Sequence, residues 1–160
     1  MILLGGKMKS KQKDLLSNVF CGALEKLAFM FGEPAERDEL SPTGNKYLTA
    51  GMTFTGDMSG EISITVVEGM CFEIAANILG INSDDEQAMN LAVDSLKEVL
   101  NVTCGQVLTA IAGEKALINL SIPQVSELDA SGWTETLNKT ETIGFFVDDY
   151  PVLLSFLLVE

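Results

Sequence analysis

One stretch constrains the fold more than any other: DEQAMNLAVDSLKEVLNVTCGQVLTAIAG, Asp85–Gly113. Met89, Ala92, Leu96, Val99, Leu100, Thr103, Val107 and Ala110 recur at spacings of three and four. That is the apolar stripe of an amphipathic helix, and its length makes it the platform on which other elements must pack. Gly113 supplies a stop, and Asn82, Ser83 and Asp84 are candidate caps at the other end. A second line runs along the same helix. Asp94, Glu98, Asn101 and Gly105 follow one another at four, three and four residues, which brings them onto one face. Two carboxylates, a carboxamide and a bare backbone make a polar ridge, and Gly105 has no side chain to hold a partner away.

The period changes on either side of this helix. Lys9–Phe31 reads as a first helix with Leu16, Val19, Phe20, Ala23, Leu24, Leu27 and Phe31 inward, ended by Gly32 and Pro34. Glu33–Asn45 reads as a polar loop. In Lys46–Thr55, Leu48, Ala50, Met52 and Phe54 alternate with Thr49, Gly51, Thr53 and Thr55, the period of a half-buried strand. A turn at Gly56–Gly60 leads into a partner strand, Glu61–Val67, with Ile62, Ile64 and Val66 inward, and Gly69–Gly80 reads as a short helix. After the long helix, Ala116–Ile122 alternates again until Pro123 stops it, and Ser126–Lys139 is irregular around Gly132 and Trp133. Thr140–Val147 and Val152–Val159 read as strands around the turn 148–151. The last of them, VLLSFLLV, is apolar on both faces, as expected of a central or doubly covered strand or one paired across an interface. The expectation is one α+β domain over residues 1–160, with helices packed on an antiparallel sheet in the order helix, hairpin, helix, long helix, strands. Residues 1–8 stay outside the fold argument, expected to be disordered or vector-derived, with Met8 a second candidate start.

The chain also reads as a diverged duplication. NVFCG (Asn18–Gly22) in the first helix matches NVTCG (Asn101–Gly105) in the long one, and each half closes with a hairpin. In that alignment Leu15 stands opposite Glu98 and Lys11 opposite Asp94, so the second copy alone carries the ridge. Gly22 and Gly105 are expected to serve close helix packing, with partner access the lesser reading for Gly105.

Charge and composition narrow the function. The formal net charge is −13 and only ten residues are Lys or Arg, so nucleic acid and anionic membrane surfaces are poor partners. No apolar run approaches the roughly 20 residues of a membrane helix. Cys21, Cys71 and Cys104 form neither a zinc pattern nor a disulfide framework, which fits a reducing cytoplasm. The chain has no histidine, which removes His triads and His metal sites. Cys104 adjoins the ridge, but no cation stands near it to lower its pKa, so an inert thiol is expected.

With Asp94-x3-Glu98-x2-Asn101 on a helix and Pro123 about twenty residues on, the chain resembles the CheC/CheX/FliY phosphatases of bacterial chemotaxis. The order of elements resembles them over nearly the whole chain, and one ridge instead of two is closer to CheX. The interval from Asn101 to Pro123 departs slightly from the family's pattern. The resemblance implies hydrolysis of the aspartyl phosphate on a CheY-type response regulator. Asn101 would orient the attacking water and Glu98 would pair with the regulator's active-site lysine, with Asp94 and Gly105 as partner contacts. It implies no cofactor or metal on this chain, Mg²⁺ in the partner, a homodimer paired through its sheets, and a cytoplasmic setting. The alternative is a non-catalytic module that docks on a response regulator or a flagellar-switch protein.

Overall fold

The computed structural model describes residues 10–82 and 84–159, the side chain of Met89 excepted. The expectations for residues 1–9, Ser83 and the Met89 side chain lie outside the described residues. Four α-helices and seven strands follow in the order α1 (Ser10–Ala28), β1 (Gly32–Ala35), β2 (Tyr47–Gly56), β3 (Ser59–Val67), α2 (Glu68–Leu79), α3 (Glu86–Ala112), β4 (Ile118–Leu120), β5 (Gln124–Leu128), α4 (Ala130–Leu137), β6 (Thr142–Val147) and β7 (Tyr150–Val159), with a 3₁₀ turn at Arg37–Glu39. The strands form one antiparallel sheet in the order β1-β6-β7-β3-β2-β4, with β5 also on β2. The expected α+β fold is therefore present.

The alternation in β2 and β3 decides which face is covered. Leu48, Ala50, Met52, Phe54, Ile62, Ile64 and Val66 are buried together with Leu16, Phe20 and Leu24 of α1 and Leu96, Val99, Leu100 and Val107 of α3. The second face is partly closed by α4, where Leu40, Tyr47, Trp133, Leu137 and Leu153 make a smaller core. β7 lies between β6 and β3 and contributes to both cores, which accounts for its two apolar faces.

Several boundaries differ from the expectation. α1 ends at Ala28, and Phe29 then takes φ 54°, a left-handed conformation that costs a bulky residue about 1–2 kcal/mol. Phe31, expected inward, is exposed, and Gly32 belongs to an edge strand instead of a helix stop. Pro34 is tolerated there because an edge strand has one unpaired side. The cap of α3 is Asp85, whose carboxylate accepts the Gln87 N–H at 2.9 Å, and not Asn82 or Asp84. Ala110 is exposed, and Ala88, Cys104 and Leu108 complete the buried face.

The strand expected at Ala116–Ile122 is interrupted. From Leu120 to Gln124 this edge advances four residues while its partner advances three, from Phe54 to Gly51, so one residue is extra. The resulting bulge holds the buried Pro123 and leaves Ile122 exposed. The irregular stretch contains a helix, α4, capped by Asp129, which accepts from Gly132 N–H at 2.8 Å. At its other end the Arg37 guanidinium donates to the carbonyls of Leu137, Lys139 and Thr142.

The pairing pattern repeats the duplication seen in the sequence. α1 and β1 precede the β2–β3 hairpin, and α3 and β4–β5 precede the β6–β7 hairpin. β1 pairs with β6 of the other half, β4 and β5 pair with β2 of the other half, and β3 meets β7 antiparallel at the centre. This is the pattern of two halves related by a two-fold axis through the middle of the sheet.

Candidate functional site

α3 presents the ridge because its opposite side is held. Leu96, Val99, Leu100, Thr103 and Val107 are at most 1% exposed. Asp94, Glu98 and Asn101 are exposed on the outer side, and Gly105 is half-buried. At 1.5 Å per residue the line from Asp94 to Gly105 runs about 16 Å along the axis. A Cβ placed on Gly105 would meet nothing within 4 Å, and the same holds for Gly22. Close helix packing therefore explains neither glycine. What the missing side chain at Gly105 gives is an unobstructed patch of helix beside Asn101.

No side chain or backbone group among the described residues pairs with Asp94, Glu98 or Asn101. The ion pairs of the described residues join Lys46 to Glu68 at 2.9 Å and to Glu127 at 3.8 Å, away from α3. The ridge is an outward helix face: a hollow of about 860 Å³ lies on the sheet's second face between strands and α4, and Asp94, Glu98 and Asn101 do not line it. Such a surface suits a macromolecule better than a small substrate, which needs a concave site. Leu91, three residues before Asp94, extends the line and is 37% exposed. Its apolar type hid it from a search for polar residues, although its spacing was the available signal.

The remaining candidates resolve simply. Cys104 is fully buried and its pKa is pushed up to about 11 by burial, so it is no nucleophile. Cys71 is pushed up to about 12, first by burial and then by the nearby Glu68 carboxylate. Asp57 and Asp148 are turn residues that accept from the Leu117 and Phe31 N–H groups, and Asp148 and Asp149 take the positive φ of a tight hairpin. Among the described residues no group of three or more His, Cys, Asp and Glu is placed to hold a metal ion. No described helix is long and apolar enough to cross a membrane.

Comparison with known proteins agrees with this architecture. No curated protein matches the sequence. Among solved structures, the chemotaxis protein CheX of Vibrio vulnificus superposes with a TM-score of 0.69 at 17% identity, covering 93% of this chain and 97% of that one. CheX of Desulfovibrio desulfuricans gives 0.67 at 16% identity, covering 92% and 99%. CheX in the CheX–CheY–BeF₃–Mg²⁺ complex of Borrelia burgdorferi gives 0.62 at 15% identity, covering 93% and 98%. At these identities the structures show the fold. The family model for chemotaxis phosphatase CheX matches residues 48–143, which include the whole ridge. With more than half of its length matched, the chain belongs to the CheX family of chemotaxis phosphatases.

Proposed function

We propose that this protein hydrolyses the aspartyl phosphate of a CheY-type response regulator, using α3 as the inserted element. The observation that carries the reading is the ridge itself. Within the span that matches the family, a carboxylate and a carboxamide stand unpartnered on the outer face of a helix fixed by its core. A relative of the same fold has been captured in complex with CheY, BeF₃ and Mg²⁺.

The chemistry asks little of this chain. Water attacks phosphorus, a new O–P bond forms, and the acyl-phosphate O–P bond breaks. The regulator's carboxylate is restored and the water proton leaves with phosphate. Phosphoryl transfer is mostly positioning and charge stabilisation, and in this reading the regulator supplies the Mg²⁺ and a lysine. Asn101 supplies the group that holds water in line, since its Oδ1 accepts from water while its Nδ2 donates. A carboxamide needs no shifted pKa, so a chain without histidine is equipped for the task. Glu98 fixes the dock by pairing with the regulator's lysine, and Asp94 and Gly105 flank the contact. The partner places the reaction in the cytoplasm, which the free cysteines suit. A homodimer that extends the sheet edge to edge would use strands other than β7, whose two edges are taken by β6 and β3.

The test is phosphate release. A CheY-type regulator is charged with a small phosphodonor and Mg²⁺, this protein is added in substoichiometric amount, and loss of phospho-regulator is followed. Acceleration with turnover supports the phosphatase. Measurable binding without acceleration points to the docking module instead.

Two variants separate docking from chemistry. Glu98→Ala raises the half-saturating regulator concentration about tenfold or more, because it leaves the partner's lysine unpaired in the interface, and changes the saturated rate little. Initial rates against regulator concentration read this directly, and an unchanged half-saturation would remove Glu98 from the dock. Gly105→Ala stabilises α3 by roughly 0.5–1 kcal/mol, since alanine is the better helix former and its methyl meets nothing. Gly105→Leu keeps the fold and raises the half-saturating concentration by obstructing the approach. Thermal melts beside the same rate curves check both effects.

A further inference from the structure

The end of α1 carries a second surface that the phosphatase reading leaves unused. Phe29 and Phe31 are 67% and 64% exposed, and Phe29 holds the left-handed backbone that helix ends ordinarily give to glycine. The segment is firmly held. Met30, between the two rings, is fully buried, and its N–H reaches the Leu24 carbonyl at 3.4 Å. The Phe31 N–H donates to Asp148 Oδ1, and the Phe31 carbonyl accepts the Asp148 N–H, both at 3.0 Å. Asn77 Nδ2 donates to the Ala28 carbonyl at 2.8 Å, which brings the last turn of α2 alongside, with Ile78 and Leu79 39% and 43% exposed. Two aromatic rings are thus displayed on a rigid mount, one of them on the left-handed residue that ends α1. The left-handed turn closes α1 and seats Met30 in the core, which leaves both rings outside, and rigid exposed aromatics are the anchors that interfaces use.

The rim identifies the partner's chemistry. Glu25, Glu33, Asp148 and Asp149 are exposed around the segment, none in an ion pair among the described residues, and Lys26 is the cation on the same helical turn. A second copy of this chain would bring the same carboxylates against them at a net charge of −13. Nucleic acid and an anionic membrane meet the same repulsion. We infer that Phe29 and Phe31 form a docking surface, separate from the α3 ridge, for a protein segment that presents apolar side chains flanked by lysine or arginine.

The probe is a synthetic amphipathic helix with a leucine stripe and lysine flanks, titrated calorimetrically at physiological salt into the full chain. The variant is Phe29→Gly with Phe31→Ser, which removes both rings and relieves the backbone. Saturable binding that weakens about tenfold or more in the variant, with its melting temperature unchanged or raised, supports the surface. A control peptide with glutamines in place of the leucines should bind the parent no better than the leucine peptide binds the variant. Equal binding by parent and variant would reduce the effect to bulk charge and overturn the inference, as would absence of saturable binding. Self-association of the parent that the variant abolishes would overturn it in favour of a second copy. Regulator dephosphorylation should run at the parental rate in the variant; loss there would merge this surface with the ridge and defeat the claim of a separate dock.

Discussion

Asn101→Ala will lose about 10²-fold or more of its acceleration of regulator dephosphorylation while still binding the regulator. The size follows from what the side chain does in the proposed reaction. Positioning a water in line and donating to the charge that develops are the whole of this chain's chemical contribution, and removing one such preorganised group costs on that scale. Binding should survive because Glu98, Asp94 and the bare helix at Gly105 remain. Stability should stay within about 0.5 kcal/mol, since the Asn101 side chain is exposed and has no partner among the described residues. Single-turnover loss of phospho-regulator, set beside an equilibrium binding curve with a beryllofluoride-charged regulator, separates the two effects. A variant that hydrolyses at the parental rate would end the proposed mechanism. A variant that neither binds nor hydrolyses would make Asn101 a docking residue.

Trp133→Ala will cost about 3–5 kcal/mol, a large part of the stability of an ordinary domain. The indole is fully buried, stacks on Tyr47 with ring centroids 4.6 Å apart, and donates from Nε1 to the Leu40 carbonyl at 2.8 Å. Truncation leaves a cavity against Leu40, Leu137 and Leu153 and an unpaired carbonyl beneath α4. Urea unfolding followed by far-UV circular dichroism reads the loss, because the variant has no other tryptophan to report it. A change below about 1 kcal/mol would mean that α4 is dispensable to the sheet it covers. Where the variant is still folded it should dephosphorylate the regulator normally, since the ridge stands on the other layer.

The parts of the fold that were legible in the sequence were those with a long, uniform period. The stripe of α3 and the alternation of β2 and β3 each repeat one rule over many residues; the alternation formed as read, and the stripe did so from Ala92 to Val107. The ridge was legible for the same reason, because helical spacing alone places Asp94, Glu98 and Asn101 in line. What the period does not carry was missed. α4 is short and holds Ser, Gly and two Thr around Trp133, so its helicity comes from the Asp129 cap and from tertiary burial. β1 contains a glycine and a proline, and becomes a strand only because β6 offers a free edge. The Phe31 side chain fits the helical period of α1, yet the backbone leaves the helix at Phe29 before that period can act. The glycines misled because sequence cannot tell space occupied by a neighbour from space left empty.

The exchange of edge strands between the two halves has a consequence for how the protein is made. Neither half owns a complete sheet: the first hairpin waits for β4 and β5, and β1 waits for β6. The seam between the halves is β3 against β7, and β7 is the last of the sheet's strands to leave the ribosome. Until then the inner edge of β3 is open and the apolar floor under α1 and α3 is unfinished. Folding must therefore be completed after translation of the final strand, through contacts distant in sequence, which is a slow route and one that exposes sticky edges. A nascent chain stalled before Tyr150 would present a ready template for wrong pairing, and this protein should depend on chaperones more during synthesis than after it.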